Sequence, residues 1–305
     1  MFQKILVPLD GSALAERALS PAVNLAQAVQ GDLTYLRVPW VHPVSADEYS
    51  GGYQWLYPDQ AQDRTVNDAL AYLDEIAKKW TREGVTIYTK VVVGDPASVI
   101  LDTAAMLEQE LICMTTHGYS GLTRWMLGSV TERVLRAAPC PVLVVREPRP
   151  IRHVLITLDG STLAEQALEP GLEIARRLDA RVTLFQVALV VPAATDVIYQ
   201  METMERSVGE YLASSTMDHA RLYLDAVAQR LADSGVQVAT EVTDGFAAQQ
   251  IVDYSTSHDV DLICMATHGR TGLRRWAYGS VTEKVLRSGK CSLLVVRPDD
   301  DALKS

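Results

Sequence analysis

The sequence predicts an α/β protein built as two homologous, open, doubly wound domains, one following the other. Three observations carry this. A length of 305 residues corresponds to about two domains at roughly 100–200 residues each. One half of the chain reads again in the other. Short apolar runs alternate with segments of helical periodicity, the pattern of parallel strands buried between helices.

The repeat is direct. Residues 110–146 read ELICMTTHGYSGLTRWMLGSVTERVLRAAPCPVLVVR, and residues 261–297 read DLICMATHGRTGLRRWAYGSVTEKVLRSGKCSLLVVR. They are identical at 24 of 37 positions, which marks duplication rather than coincidence. The starts also match: ILVPLDGSALAERALSP from Ile5 and VLITLDGSTLAEQALEP from Val154. The expected domains are 1–147 and 151–299. They are joined at Glu147-Pro-Arg-Pro150, where two prolines interrupt regular structure.

The elements follow in order. Lys4–Leu9 is an apolar strand, Ala13–Val29 has helical periodicity, and Asp32–Val38 is a strand. A polar loop then runs to about Ala61, with Gly51-Gly52, Tyr53, Trp55 and Tyr57 in it, as a lid or a plain crossover. Thr65–Arg82 is helical, Val85–Val93 a strand, Pro96–Glu108 helical, Leu111–Thr115 a strand, Val130–Ala137 a helix and Val142–Arg146 a strand. The second half gives strand Val154–Leu158, helix Leu163–Leu178, strand Arg181–Val187 and helix Glu202–Asp233. Strand Val236–Val242, helix Ala247–Ser257, strand Leu262–Ala266, helix Val281–Arg287 and strand Leu293–Arg297 complete it. Right-handed crossovers turn this alternation into a doubly wound sheet, which binds ligands beyond the carboxyl ends of its strands.

Composition excludes several classes. Apolar residues are 48%, charged 22% and aromatic 7%, so the chain can bury a core, one made of small aliphatics. Twenty-eight Lys and Arg against 38 Asp and Glu give a net charge of −10, which argues against a partner held by nucleic-acid phosphates. No apolar run reaches about 18 residues, so no membrane span is expected. The amino terminus does not read as a signal peptide. Cys113, Cys140, Cys264 and Cys291 are too sparse for a disulfide scaffold and read as reduced, buried thiols in a cytoplasmic protein.

Two segments fall at strand ends, each written twice. Leu9-Asp10-Gly11-Ser12 recurs as Leu158-Asp159-Gly160-Ser161. Asp10 and Asp159 are either turn aspartates or carboxylates that accept from ribose hydroxyls or hold a metal beside phosphates. Thr116-His117-Gly118, nine residues, then Gly128-Ser129 recurs as Thr267-His268-Gly269, nine residues, then Gly279-Ser280. The glycine after the strand allows close backbone approach, and Gly-Ser opens a helix whose N–H groups and dipole favour an anion. Ser129-Val-Thr-Glu132 and Ser280-Val-Thr-Glu283 also fit a capping box, which would occupy the same serines structurally. His117 and His268 read as loop histidines, and Trp125 and Trp276 as packing for the nine-residue loop. No Walker loop, dinucleotide fingerprint or nucleophile elbow occurs.

At these residues the sequence resembles the universal stress protein family in its tandem two-domain form. The family signature is Gly-x-x-Gly, nine residues, then Gly and Ser or Thr. Gly118, Gly128 and Ser129 match it, as do Gly269, Gly279 and Ser280, while Thr115 and Ala266 replace its first glycine. The resemblance implies a Rossmann-like five-stranded parallel sheet of order 3-2-1-4-5 in each domain. It also implies ATP, or another adenine nucleotide such as ADP or AMP, lying across strands 1 and 4. Asp10 and Asp159 would then meet the ribose, with Pro8, Leu9 and Leu158 beside them among the nucleotide-binding residues. Val38 and Val187, at the ends of the second strands, would meet adenine through backbone. Met114, Thr115, His117 and Gly118, with Met265, Ala266, His268, Gly269 and Arg270, would line the base and phosphate path. Gly128, Ser129 and Val130, with Gly279, Ser280 and Val281, would hold phosphates. Any Mg²⁺ would come with the nucleotide and use Asp10 or Asp159.

The function implied is an ATP-binding regulatory protein of the stress response without rapid turnover. A nucleotide-free interaction module on the same fold and a slow ATPase stand as alternatives. Adenine nucleotide is the expected partner, with no membrane and no nucleic acid. The two domains are expected to pair through their fifth strands as an internal pseudo-dimer, with homo-oligomerisation left open.

Overall fold

The computed structural model describes residues 1–39, 58–116, 127–188, 205–267 and 279–297. The chain divides into two compact units, Met1–Pro148 and Arg149–Ser305. His117, Gly118, His268, Gly269 and Arg270 lie outside the described residues, as do Trp125 and Trp276.

In the first unit the order is β1 (Lys4–Pro8), a 3-10 turn (Ala15–Ala18), α1 (Leu19–Val29), β2 (Asp32–Arg37), α2 (Pro58–Trp80) and β3 (Thr86–Val91). Then come α3 (Pro96–Met106), β4 (Leu111–Thr115), α4 (Ser129–Ala137) and β5 (Val142–Val145). The strands lie in the order β3-β2-β1-β4-β5, all parallel, with Ile5 opposite Leu33 on one side and Leu111 on the other. α1 and α2 step outward from β1, whereas α3 crosses back over and α4 steps the other way. Right-handed crossovers therefore put the two pairs on opposite faces. The second unit repeats this with β6 (His153–Leu158), α5 (Thr162–Glu165), α6 (Leu168–Arg177), β7 (Arg181–Ala188), α7 (Glu205–Arg230) and β8 (Val238–Asp244). α8 (Ala247–Ser257), β9 (Leu262–Ala266), α9 (Ser280–Ser288) and β10 (Ser292–Val296) follow, in the strand order β8-β7-β6-β9-β10. Each unit thus has the doubly wound order 3-2-1-4-5.

The burial of each strand follows its place. β4 and β9 are buried along their whole length, as strands covered on both faces must be. β3 and β8 stand at the outer edge and alternate toward solvent.

Three expectations are corrected. The helix expected over Ala13–Val29 is broken into a 3-10 turn and α1, and its counterpart over Leu163–Leu178 is broken into α5 and α6. Pro21 and Pro170 cause this. Neither has an N–H, and each ring would clash with the carbonyl four residues back, at Arg17 and Gln166. The helix expected from Thr65 begins at Pro58, where proline suits a first helical position. β7 continues one residue past Val187, because Ala188 still has a partner in Asp244 of β8. Among the thiols, Cys113, Cys264 and Cys291 are buried as expected, Cys140 is only half-buried, and none is bridged. Burial pushes the Cys140 thiol up to about 12, so it is a poor nucleophile.

At the amino ends of the second sheet, His153 is buried. Its Nε2 lies 2.9 Å from Thr183 Oγ1, and its Nδ1 lies 3.1 Å from His258 O and 3.2 Å from Arg181 Nη2. Desolvation first, and the Arg181 charge, lower its pKa, while His258 O and the Asp261 carboxylate pull it back up. The folded ring therefore binds a proton less readily than the unfolded one. Stability is complete above the unfolded value of 6.5 and falls as pH drops below it. The unfolding midpoint should decline between pH 7 and 5, and His153→Gln should flatten that decline in denaturant titrations.

Candidate functional site

Asp10 ends the first strand as a turn residue. Leu9 N–H still donates to Leu36 O (2.8 Å), after which the chain leaves the sheet. Ser12 N–H and Ser12 Oγ–H both donate to Asp10 Oδ1, at 2.9 and 2.6 Å, and Ser12 Oγ accepts from Ala15 N–H (3.1 Å). Gly11 sits at φ +82°, a conformation that disfavours any side chain. The second unit reproduces the turn: Ser161 N–H and Oγ–H reach Asp159 Oδ1 at 3.0 and 2.6 Å, Ala164 N–H reaches Ser161 Oγ at 3.1 Å, and Gly160 has φ +84°. The sequence left two readings open for these aspartates. The turn role is present, and it orients each carboxylate at the carboxyl end of its sheet.

Next to this turn, at the centre of the sheet, lies the end of β4. Met114 and Thr115 are buried there, as are Met265 and Ala266 at the end of β9. Gly128 N–H donates to Thr116 O (2.9 Å), and Thr131 Oγ–H donates to Thr115 O (3.0 Å) and Thr116 O (3.3 Å). In the second unit Gly279 N–H donates to Thr267 O (2.7 Å) and Thr282 Oγ–H to Ala266 O (3.2 Å). These bonds hold the first turn of α4, and of α9, against the carboxyl end of the strand.

The capping box is overturned. The residue before α4 is Gly128, in an extended conformation with no side-chain cap, and Gly279 plays the same part for α9. Ser129 and Ser280 are therefore the first helical residues, exposed, and one step too late to cap. Glu132 pairs with Arg136 instead, and Glu283 with Arg287 (3.0 Å). The first N–H groups of a helix have no partner within it. With no side chain capping them among the described residues, Ser129–Thr131 and Ser280–Thr282 present positive helix ends suited to an anion. Val130 and Val281 are half-buried behind them.

Pro8 is half-buried at the end of β1, and Leu9 and Leu158 are buried. Val38 is half-buried just past β2, whereas Val187 lies inside β7 in register with Thr243. Sequence reasoning missed Thr131 and Thr282, although both stand two residues after the repeated Gly-Ser. It also missed Arg37, the last residue of β2. Arg37 Nη1 donates to Leu9 O (3.3 Å), and its Cζ lies 5.6 Å from the centre of the Tyr72 ring. Tyr72 Oη–H donates to Glu16 Oε1 (3.2 Å); burial first, then the Glu16 charge, push the Tyr72 pKa up. Nothing in the repeat pointed to Arg37, because its counterpart, Gln186, is a different residue type. Among the described residues no cluster of three or more Cys, His, Asp or Glu could hold a metal, and no helix is long and apolar enough to cross a membrane.

Residues 1–146 and again 150–297 match the Universal stress protein family. Over 325 aligned residues the chain is 24% identical to universal stress protein E of Salmonella typhi, covering 98% of this chain and 96% of that one. A universal stress protein of Methanocaldococcus jannaschii is 34% identical over 149 residues, 49% of this chain and 85% of its own length. The fold is that of a putative universal stress protein from Pseudomonas aeruginosa (TM-score 0.69, 21% identity, 99% of this chain and 96% of that one). It is likewise that of a universal stress protein from Archaeoglobus fulgidus (TM-score 0.66, 20% identity, 98% and 97%).

Thr131→Val and Thr282→Val should each destabilise the chain by roughly 1–2 kcal/mol, because a buried carbonyl loses its hydroxyl donor with no change of shape. Denaturant unfolding of each variant measures this.

Proposed function

The chain belongs to the universal stress protein family, and from that premise we propose that it is an adenine-nucleotide-binding regulatory protein of the stress response that holds ATP without turning it over rapidly. The observation that carries this reading is the helix start, uncapped among the described residues, tied to the carboxyl end of the middle strand and built twice by the same bonds. An anion there meets backbone N–H groups and a helix dipole that are already in place. Phosphates belong at Gly128–Val130 and Gly279–Val281, ribose at the Asp10 and Asp159 turns, and adenine beside Val38 and Val187. His117, Gly118, His268, Gly269 and Arg270 complete the same path by resemblance. Any Mg²⁺ arrives on the phosphates, with Asp10 or Asp159 as its protein carboxylate. The reading places the protein in the cytoplasm, where ATP is abundant and thiols stay reduced.

A nucleotide-free interaction module remains the second reading, favoured by Thr115 and Ala266 in place of the first signature glycine. Mass spectrometry of small molecules released from freshly purified protein separates the two: bound adenine nucleotide is expected, and its consistent lack supports the second.

The double variant Asp10→Asn, Asp159→Asn tests the metal role. Asparagine keeps an oxygen for the serine bonds, so the turns survive while the charge is lost. Mg²⁺-dependent ATP affinity should fall by roughly tenfold, the scale of one bond to a charged group, with steady-state hydrolysis slow in parent and variant alike. Unchanged affinity in calorimetry would remove the aspartates from the site.

A further inference from the structure

Several charges that are drawn into this fold are met by opposite charges. Buried Glu173 is paired with Arg176 and Arg177, Asp261 with Arg149, and Glu165 with Arg230. Arg37 is not among them. It is half-buried, yet among the described residues no carboxylate lies within ion-pair distance of it. Its fixed neighbours hold the guanidinium without cancelling its charge: Leu9 O takes one N–H, and the Tyr72 ring lies to one side. A side chain added at Gly11 would meet Nη1 at 3.0 Å and Nη2 at 3.1 Å, so the guanidinium lies directly against the turn that carries Asp10. A guanidinium has five N–H donors in a fixed fork, and a single carbonyl leaves most of them for something else. The position is the carboxyl end of β2, the side of the sheet where a doubly wound domain receives its ligand.

The second unit has a different group there. Leu158 is in register with Gln186, and Leu9 and Arg37 stand one step past the last pair of the matching strands, Pro8 with Leu36. Gln186 is neutral and buried, and its Oε1 has no hydrogen-bond partner. Arg230, beside Tyr223, is held by Glu165 at 2.7 Å, and Tyr223 Oη–H donates to the same carboxyl group at 2.9 Å.

We infer that Arg37 is a specificity-determining residue of the first site: it reads the negative charge of the bound nucleotide, a part that neutral Gln186 cannot play at the same position of the second unit. This rests on the nucleotide reading above. A half-desolvated guanidinium is costly without an anion, and a phosphate supplies one through charge-assisted bonds. Adenosine offers no such group, so the contribution of Arg37 separates the two ligands.

The test uses the full chain with the second site closed by Gly279→Asp, which sets a carboxylate at the helix start. Calorimetry then compares ATP and adenosine at the first site. Arg37→Gln should weaken ATP by about tenfold and leave adenosine within about twofold. Arg37→Lys keeps the charge and should keep most of the preference for ATP, and it decides the matter if Arg37→Gln melts early. Equal losses for ATP and adenosine would mean that Arg37 only packs against Leu9 and Tyr72, and would overturn the inference; so would an unchanged affinity for ATP. A parent chain that binds neither ligand would instead overturn the nucleotide reading itself.

Discussion

The arrangement depends on the tie between the end of the middle strand and the start of the helix that follows it. Gly128 N–H and Thr131 Oγ–H close on the carbonyls of Thr116 and Thr115, and the same bonds recur at Gly279 and Thr282. These carbonyls point out of the sheet at its carboxyl end, where an unpaired buried oxygen would be costly. Satisfying them from the helix fixes where the helix begins. It also spends the Thr131 hydroxyl on the strand rather than on a cap, which leaves the first turn of α4 open to an anion. One set of bonds thus solves a backbone problem and frames the proposed site.

Around that shared tie, the two units support the helix differently. In the first, Asp95 caps α3, accepting from Ser98 N–H (3.0 Å), and also takes Arg133 Nη1–H of α4 (2.8 Å). The Arg133 bond, with the two Ser98 bonds, holds the Asp95 carboxyl well below the usual carboxylate range. In the second, the equivalent residue is Phe246, which is 85% exposed and caps nothing, and Lys284 stands where Arg133 was. α9 therefore leans more heavily on Thr282 than α4 does on Thr131. Duplication has kept the bonds that the backbone demands and let the side-chain supports drift.

This difference also explains what the sequence made legible. The fold was readable because periodicity and repetition agree: each apolar run became a strand, and the glycines and aspartates at strand ends recurred at fixed spacing. The helix breaks at Pro21 and Pro170 were readable in principle, since proline excludes the N–H that a continuous helix needs, but the apolar pattern runs through them unbroken. The capping box misled because Ser-x-x-Glu is a local signature, and the tertiary bond from Gly128 to Thr116 moved the helix start by one residue. Arg37 was invisible because its meaning lies in what is missing around it. Only the fold brings the end of β2 beside Leu9 and Tyr72 and leaves the guanidinium without a carboxylate among the described residues.

Net charge sharpens the point. A chain of charge −10 repels an anionic ligand at long range. At physiological ionic strength, however, screening acts over about 8 Å, so the distant carboxylates on the surface count for little at the site. On the proposed reading, what a phosphate meets is local: helix N–H groups at Ser129 and Ser280, the oriented carboxylates of Asp10 and Asp159, and, at the end of the second strand, a guanidinium in the first unit where the second has Gln186. The first two are common to both halves and set a shared capacity for anions. The third is not, and it lies in a partly desolvated place where a single charge is screened least. Two sites copied from one ancestor can therefore keep the same backbone chemistry and still answer differently to the charge of what they bind.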